Sequence, residues 1–156
     1  MTSENMLTAL LEYRSIGSTG VVYRSAGMDL PVRVVTDENM KPTGEAMMSG
    51  KYSYYHPLNE TPTFLFTLPD MSGVKVENLA LSMSIYYLTE CKACFFNFGT
   101  GEWDEITPNE NVKNAARYVD AEGRVYVQFR PDTQDMYAEV PAPMITVQGR
   151  LEHAEN

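Results

Sequence analysis

The chain has 156 residues, 44% of them hydrophobic and 21% charged, the composition of an ordinary globular chain with one folded core and not of a disordered one. Its 21 acidic against 12 basic residues give a net charge of −9, which repels phosphate backbones and anionic lipid and so argues against nucleic-acid binding and membrane contact. No apolar run approaches the roughly 18 residues of a membrane span, and Met1-Thr2-Ser3-Glu4-Asn5 lacks the basic start of a secretory leader. With Met1 as the natural start the expected location is the cytoplasm; as a piece of a larger protein the domain is expected outside it.

Residues 6–14 place Met6, Leu7, Leu10 and Leu11 on one helical face behind Ser3 as a cap, and a short N-terminal helix is expected there. Leu7, Ala9, Leu11 and Tyr13 also alternate, so a strand is the close competitor. Residues 15–20 read as a loop, making residues 1–20 a lead-in to one domain over residues 1–150, with residues 151–156 as a tail.

From residue 21 the period becomes two. Val21-Val22-Tyr23-Arg24 and Pro31-Val32-Arg33-Val34-Val35 are short strands, followed by a polar connection over residues 37–44. Residues 51–55 form a tyrosine-rich strand stopped at a turn by His56-Pro57, and residues 63–68 put Phe64, Phe66 and Leu68 on one face before Pro69. Residues 79–87 alternate most cleanly. Leu79, Leu81, Met83, Ile85 and Tyr87 point one way and Ala80, Ser82, Ser84 and Tyr86 the other, which sorts a strand and would smear a helix.

Phe95-Phe96-Asn97-Phe98-Gly99-Thr100-Gly101-Glu102-Trp103-Asp104-Glu105-Ile106 is expected to be a β-hairpin at the centre of the domain, with Gly99 and Gly101 at the reversal. A polar loop leads to a strand over residues 116–119, a turn at Asp120-Ala121-Glu122-Gly123, and a strand with Val125, Val127 and Phe129 inward and Arg124, Tyr126, Gln128 and Arg130 outward. Strands over residues 137–140 and 144–148 finish the core. Nine or ten short strands at this length predict an all-β fold, an antiparallel two-sheet β-sandwich.

The second half resembles a known family. Phe96-Asn97-Phe98, Gly101-Glu102-Trp103, Tyr118-Val119-Asp120, Gly123-Arg124-Val125 and the stretch from Pro143 to Gly149 are similar to galactose-binding-like jelly rolls, in particular the β-sandwich modules appended to large extracytoplasmic or membrane-anchored proteins of Gram-positive bacteria. The resemblance covers roughly residues 62–150 and rests on turn and core positions. It implies sugar binding in some members and packing against neighbouring domains or partner proteins in others.

Chemistry-bearing motifs are sparse. Cys91-Lys92-Ala93-Cys94 lies between strands, not at the helix N-terminus that activates redox thiols, and without a second ligand pair it is not a zinc site; two ordinary thiols or a local bridge are expected. His56 and His153 form no metal-binding pair, and no cofactor is expected. Asp70, Asp104, Glu105 and Asp120 are candidates for a weak structural calcium site, though no acidic Asp-x-Asp-x-Asp-Gly loop supports it. Glu102 and Asp104 flanking Trp103 invite comparison with a glycosidase pair, but at i and i+2 they share one solvated face, so an enzyme is not expected. The strongest hint is aromatic: Trp103, Tyr126 and Tyr86, with Glu102 and Asp104 as hydroxyl partners, are the expected ligand-binding residues of a non-catalytic carbohydrate- or cell-envelope-glycan-binding module. An accessory domain contacting a partner protein without a small-molecule ligand is the alternative, and a small glycoside hydrolase the second.

Overall fold

The computed structural model describes residues 11–14, 20–24, 32–46, 55–57, 60–69, 73–82, 91–131, 139–141 and 143–151. They form strands β1 (Leu11–Arg14), β2 (Gly20–Arg24), β3 (Val32–Thr36), β4 (Pro42–Ala46), β5 (Tyr55–Pro57), β6 (Thr63–Thr67), β7 (Val74–Ser82), β8 (Cys91–Asn97), β9 (Glu102–Ile106), β10 (Val112–Lys113), β11 (Arg124–Pro131), β12 (Glu139–Pro141) and β13 (Met144–Leu151), with one 3-10 turn at Ala115–Tyr118. Every strand pair is antiparallel. One sheet runs β1-β2-β13-β7-β10, a second runs β4-β3-β6-β11-β8-β9, and β5 pairs with β12 in a separate ribbon.

Alternation determines what lies between the two main sheets. Leu79, Leu81, Ile145, Val147 and Tyr23 project from the first sheet onto Phe64, Phe66, Phe95, Val125, Val127 and Phe129 of the second, all of them buried in one cluster. Phe64 and Phe129 meet edge to face at 6.0 Å, an arrangement the ring quadrupoles favour. Each such side chain is worth about 1.5–3 kcal/mol of burial before chain entropy is counted. The fold is therefore an antiparallel β-sandwich, as the alternation predicts.

Several local expectations need correcting. Residues 11–14, assigned to the end of a helix, are strand β1 on β2; the pairing uses the alternation that competed with the helical pattern, and residues 1–10 lie outside the described residues. Pro42-Thr43-Gly44, assigned to a polar connection, instead opens β4 (Pro42–Ala46), which is hydrogen-bonded to β3 although it has no apolar face. His56-Pro57 does not stop a strand but lies within β5, paired with Val140 and Glu139. Residues 115–118 form a 3-10 turn instead of a strand, with Ala115 and Tyr118 buried and Ala116 and Arg117 outward, which a three-residue period allows and an alternating strand does not. β7 begins at Val74, five residues before the expected start; Met83, Ile85, Tyr86 and Tyr87 lie outside the described residues. β13 continues past Gly149 to Leu151.

The outer face of the second sheet carries a smaller core. Leu65, Tyr126, Phe96 and Trp103 run across β6, β11, β8 and β9, and Val34 of β3 buries against them. The β3–β4 hairpin lies over this row. Its turn is held by Asp37, whose Oδ1 accepts from the backbone N–H of Asn39 (2.8 Å) and Lys41 (3.0 Å). Its tip reaches β9, at the far edge of the same sheet: Trp103 Nε1 donates to the carbonyl of Met40 at 2.7 Å.

Candidate functional site

The residues expected to form one aromatic and acidic site divide between two faces. Trp103 pairs across the ladder with Phe96, on the outer face of the second sheet. Phe96 is the centre of that cluster, edge to face with Trp103 at 5.2 Å, Phe98 at 5.3 Å and Tyr126 at 6.3 Å. Tyr126 does lie on the outer side of its strand, but it is only 4% exposed. The β3–β4 hairpin covers it so closely that a Cβ on Gly44 would sit 3.4 Å from the tyrosine hydroxyl. Trp103 is half-buried and its one polar group is occupied by Met40. Tyr86 lies outside the described residues.

The acids lie on the other side. Asp104 pairs with Phe95, the inward neighbour of Phe96, and its Oδ2 accepts from Tyr118 Oη at 2.7 Å and from Asn97 Nδ2 at 3.0 Å. Burial, and then the hydrogen bond to Asp104, push the Tyr118 phenol above its ordinary value, so it remains a protonated donor. Asn97 also shapes the hairpin turn: its Oδ1 accepts from Gly99 N (2.9 Å) and Thr100 N (3.3 Å). Glu102 is exposed on the same side as Asp104, facing away from Trp103. A sugar stacked on Trp103 would not meet Glu102 or Asp104. Asp104, Tyr118 and Asn97 are instead a structural tie that fixes the hairpin against the 3-10 turn.

The remaining candidates are also held apart. Glu105 is exposed beside Cys94, and Asp120 sits in the loop before β11, so with Asp104 they make three separate environments. Asp70 lies outside the described residues, among which no group of three or more His, Cys, Asp or Glu could hold a metal ion. Neither cysteine of β8 is in a disulfide. Three residues apart on one strand, they project to opposite faces. Burial pushes the Cys94 thiol up, against the pull of Arg130 and Lys92, which leaves it a poor nucleophile.

Asp120 is the hub of its own loop. Its Oδ1 accepts from Glu122 N (3.0 Å) and Arg124 N (2.7 Å), and its Oδ2 from Arg124 Nε (2.7 Å). Burial acts to raise this carboxyl, but the hydrogen bonds from Arg124 and Glu122 outweigh it and hold it below its ordinary value. A depressed carboxylate contributes stability that is present above the unfolded value, about pH 4, and is lost as pH falls through the folded one. Asp120→Asn is therefore expected to be less stable than wild type at neutral pH, with the gap closing in urea titrations as pH drops below about 4. A gap that stays constant into acid would show that the carboxylate's charge contributes nothing.

Along β7 of the first sheet lies an open groove of about 560 Å³, where Lys75, Glu77 and Asn78 of β7, Lys113 of β10, the adjoining Asn114, and Arg150 of β13 gather around the apolar Val76 and Ala116. The ladder explains the gathering. Asn78 faces Lys113 on one side and Gln148 on the other, donating to Gln148 Oε1 at 3.0 Å. After Gln148 the register shifts: Gly149 pairs with Val76 and Arg150 with Lys75, so Glu77 is the extra, bulged residue. Arg150 Nε lies 3.5 Å from Glu77 Oε1. None of these residues belongs to a recognisable catalytic motif, and sequence reasoning missed them. The available signals were Asn78 beside an apolar alternation and Gly149 interrupting one.

No curated protein and no solved structure matched the chain. The family model described as a domain of unknown function (DUF8815) matches residues 29–149, from just before β3 almost to the end of β13, and the chain belongs to that family.

Proposed function

We propose that this member of the DUF8815 family is a non-catalytic binding module of galactose-binding-like type, carried by a larger extracytoplasmic bacterial protein, and that its ligand is a cell-envelope glycan. The binding surface is the groove along β7, not the aromatic hairpin. One observation carries the proposal: Asn78, Asn114, Lys113, Lys75, Glu77 and Arg150 line an open concavity with donors and acceptors suited to sugar hydroxyls. The β-sandwich beneath supplies a rigid face, and the hairpin and closing-strand motifs that resemble the galactose-binding-like modules fall in β8, β9 and β13.

Affinity electrophoresis in immobilised glycans, followed by calorimetry on any that retard the protein, tests the assignment. Asn78→Ala is expected to weaken binding about three- to tenfold while melting close to wild type, since it removes one partly buried neutral hydrogen bond. Trp103→Ala is expected to keep its affinity at temperatures where it is folded. Failure of wild type to bind any envelope glycan would replace this role with that of an accessory domain packing on a protein partner. Release of reducing ends, abolished by Glu102→Gln, would replace it with hydrolysis.

A further inference from the structure

We propose that the groove selects an acidic sugar, a uronate whose carboxylate is held between Lys75, Lys113 and Arg150; this rests on the glycan-binding role proposed above. The charge pattern is the first argument. The whole chain carries −9, yet this groove has three cations and one carboxylate, Glu77. Glu77 meets Arg150 only at 3.5 Å, and both are well exposed, at 41% and 65%. That contact is weak and leaves the local balance positive.

The second argument is the register. Arg150 stands directly opposite Lys75 in the ladder, a like-charge pair that costs stability. The bulge creates the opposition: continuing the register of Gln148↔Asn78 without a shift would set Gly149 against Glu77 and Arg150 against Val76. A sheet that accepts a bulge and a repulsive pair at one spot has its cations arranged for something outside itself. A carboxylate bridging them would relieve the repulsion and form charge-assisted hydrogen bonds.

The acidic surroundings set the size of the ligand. Screening limits a charge's reach to about 8 Å at physiological salt, so a single carboxylate in the groove experiences mainly these cations. A dense polyanion would also experience the rest of the surface and be repelled. Isolated uronates in a sugar chain satisfy both conditions, and nucleic acid does not.

The probes are digalacturonate, its neutral counterpart galactobiose, and a short DNA duplex, each titrated into the ¹⁵N-labelled full chain. Digalacturonate is expected to shift the amide resonances of Lys75, Asn78, Lys113 and Arg150 and to bind about fivefold or more tighter than galactobiose at low salt, with the advantage lost by about 0.5 M salt. Lys113→Gln combined with Arg150→Gln is expected to remove about tenfold of the digalacturonate affinity and a much smaller share of the galactobiose affinity, which erases the preference between the two. Lys92→Gln, on the second sheet, should change neither. Equal affinity for the two disaccharides would overturn the acidic-sugar inference and leave the glycan-binding role standing. Binding of digalacturonate with shifts elsewhere, or DNA binding as tight as digalacturonate, would also overturn it. No binding of either disaccharide would overturn the acidic-sugar inference; the glycan-binding role falls with it only if affinity electrophoresis also finds no envelope glycan that retards the protein.

Discussion

Trp103→Ala is expected to cost about 2–4 kcal/mol of folding stability, lowering Tm by about 5–15 °C for a chain of this size. Three contributions add. The indole covers Phe96 edge to face at 5.2 Å, and such ring pairs are worth about 0.5–1.5 kcal/mol beyond their area. Its Nε1–H is the hydrogen bond that ties the tip of the β3–β4 hairpin to β9, worth about 1 kcal/mol. Removing the ring also uncovers Phe96, Phe98 and Tyr126, because the hairpin above them loses that anchor. A fully buried Trp would cost about 3–5 kcal/mol; Trp103 is half-buried, which sets the lower range. Urea unfolding followed by circular dichroism measures the change, and Trp103→Phe, which keeps a ring but not the donor, should lie between wild type and alanine. If alanine left stability within about 0.5 kcal/mol of wild type and abolished glycan binding, the indole would be a ligand platform, and the hairpin would need another anchor.

The contrast between platform and anchor marks how far the sequence was legible. Alternation alone turns Leu79, Leu81, Val125, Val127, Phe129, Phe64 and Phe66 inward, and all are buried. A strand buried on one face leaves a period-two record, and two sheets follow from enough such records. What alternation cannot record is a second layer on the outer face. Tyr126 and Gln128 point away from the main core as expected, yet they are 4% and 0% exposed. For Tyr126, the cover is a hairpin whose second strand, Pro42–Ala46, has no apolar face by which to be recognised. Trp103 has the same history: its sequence neighbours Glu102 and Asp104 suggested one site, but adjacent residues of a strand face opposite ways, and Asp104 is bound to Tyr118 and Asn97. The groove was less legible still. Lys75, Lys113 and Arg150 come from three strands far apart in sequence, and their meeting depends on a one-residue register shift that no local pattern announces.

That shift makes Gly149 the position where a single methyl group should do most damage to the first sheet. β13 sits between β2 and β7, and the bulge brings its backbone at Gly149 against β7. A Cβ placed there would lie 2.7 Å from the carbonyl oxygen of Lys75 and 2.7 Å from Val74 Cγ1. The valine can rotate, but the carbonyl belongs to the ladder and cannot move without loosening the pairing of Arg150 with Lys75 and Leu151 with Val74. Overpacking of this kind costs about 1–3 kcal/mol, and the backbone partner places Gly149→Ala at the upper end. Because the clash lies one residue from Arg150, the same substitution should displace Arg150 from Lys75 and weaken digalacturonate binding even where the protein remains folded. A control separates the two effects: Thr146→Ala, on the same strand and half-buried, should alter neither stability by more than about 1 kcal/mol nor binding. Thermal melts of Gly149→Ala that overlay wild type would mean that β13 and β7 do not approach at this point, and the bulge that assembles the groove would have to be abandoned with it.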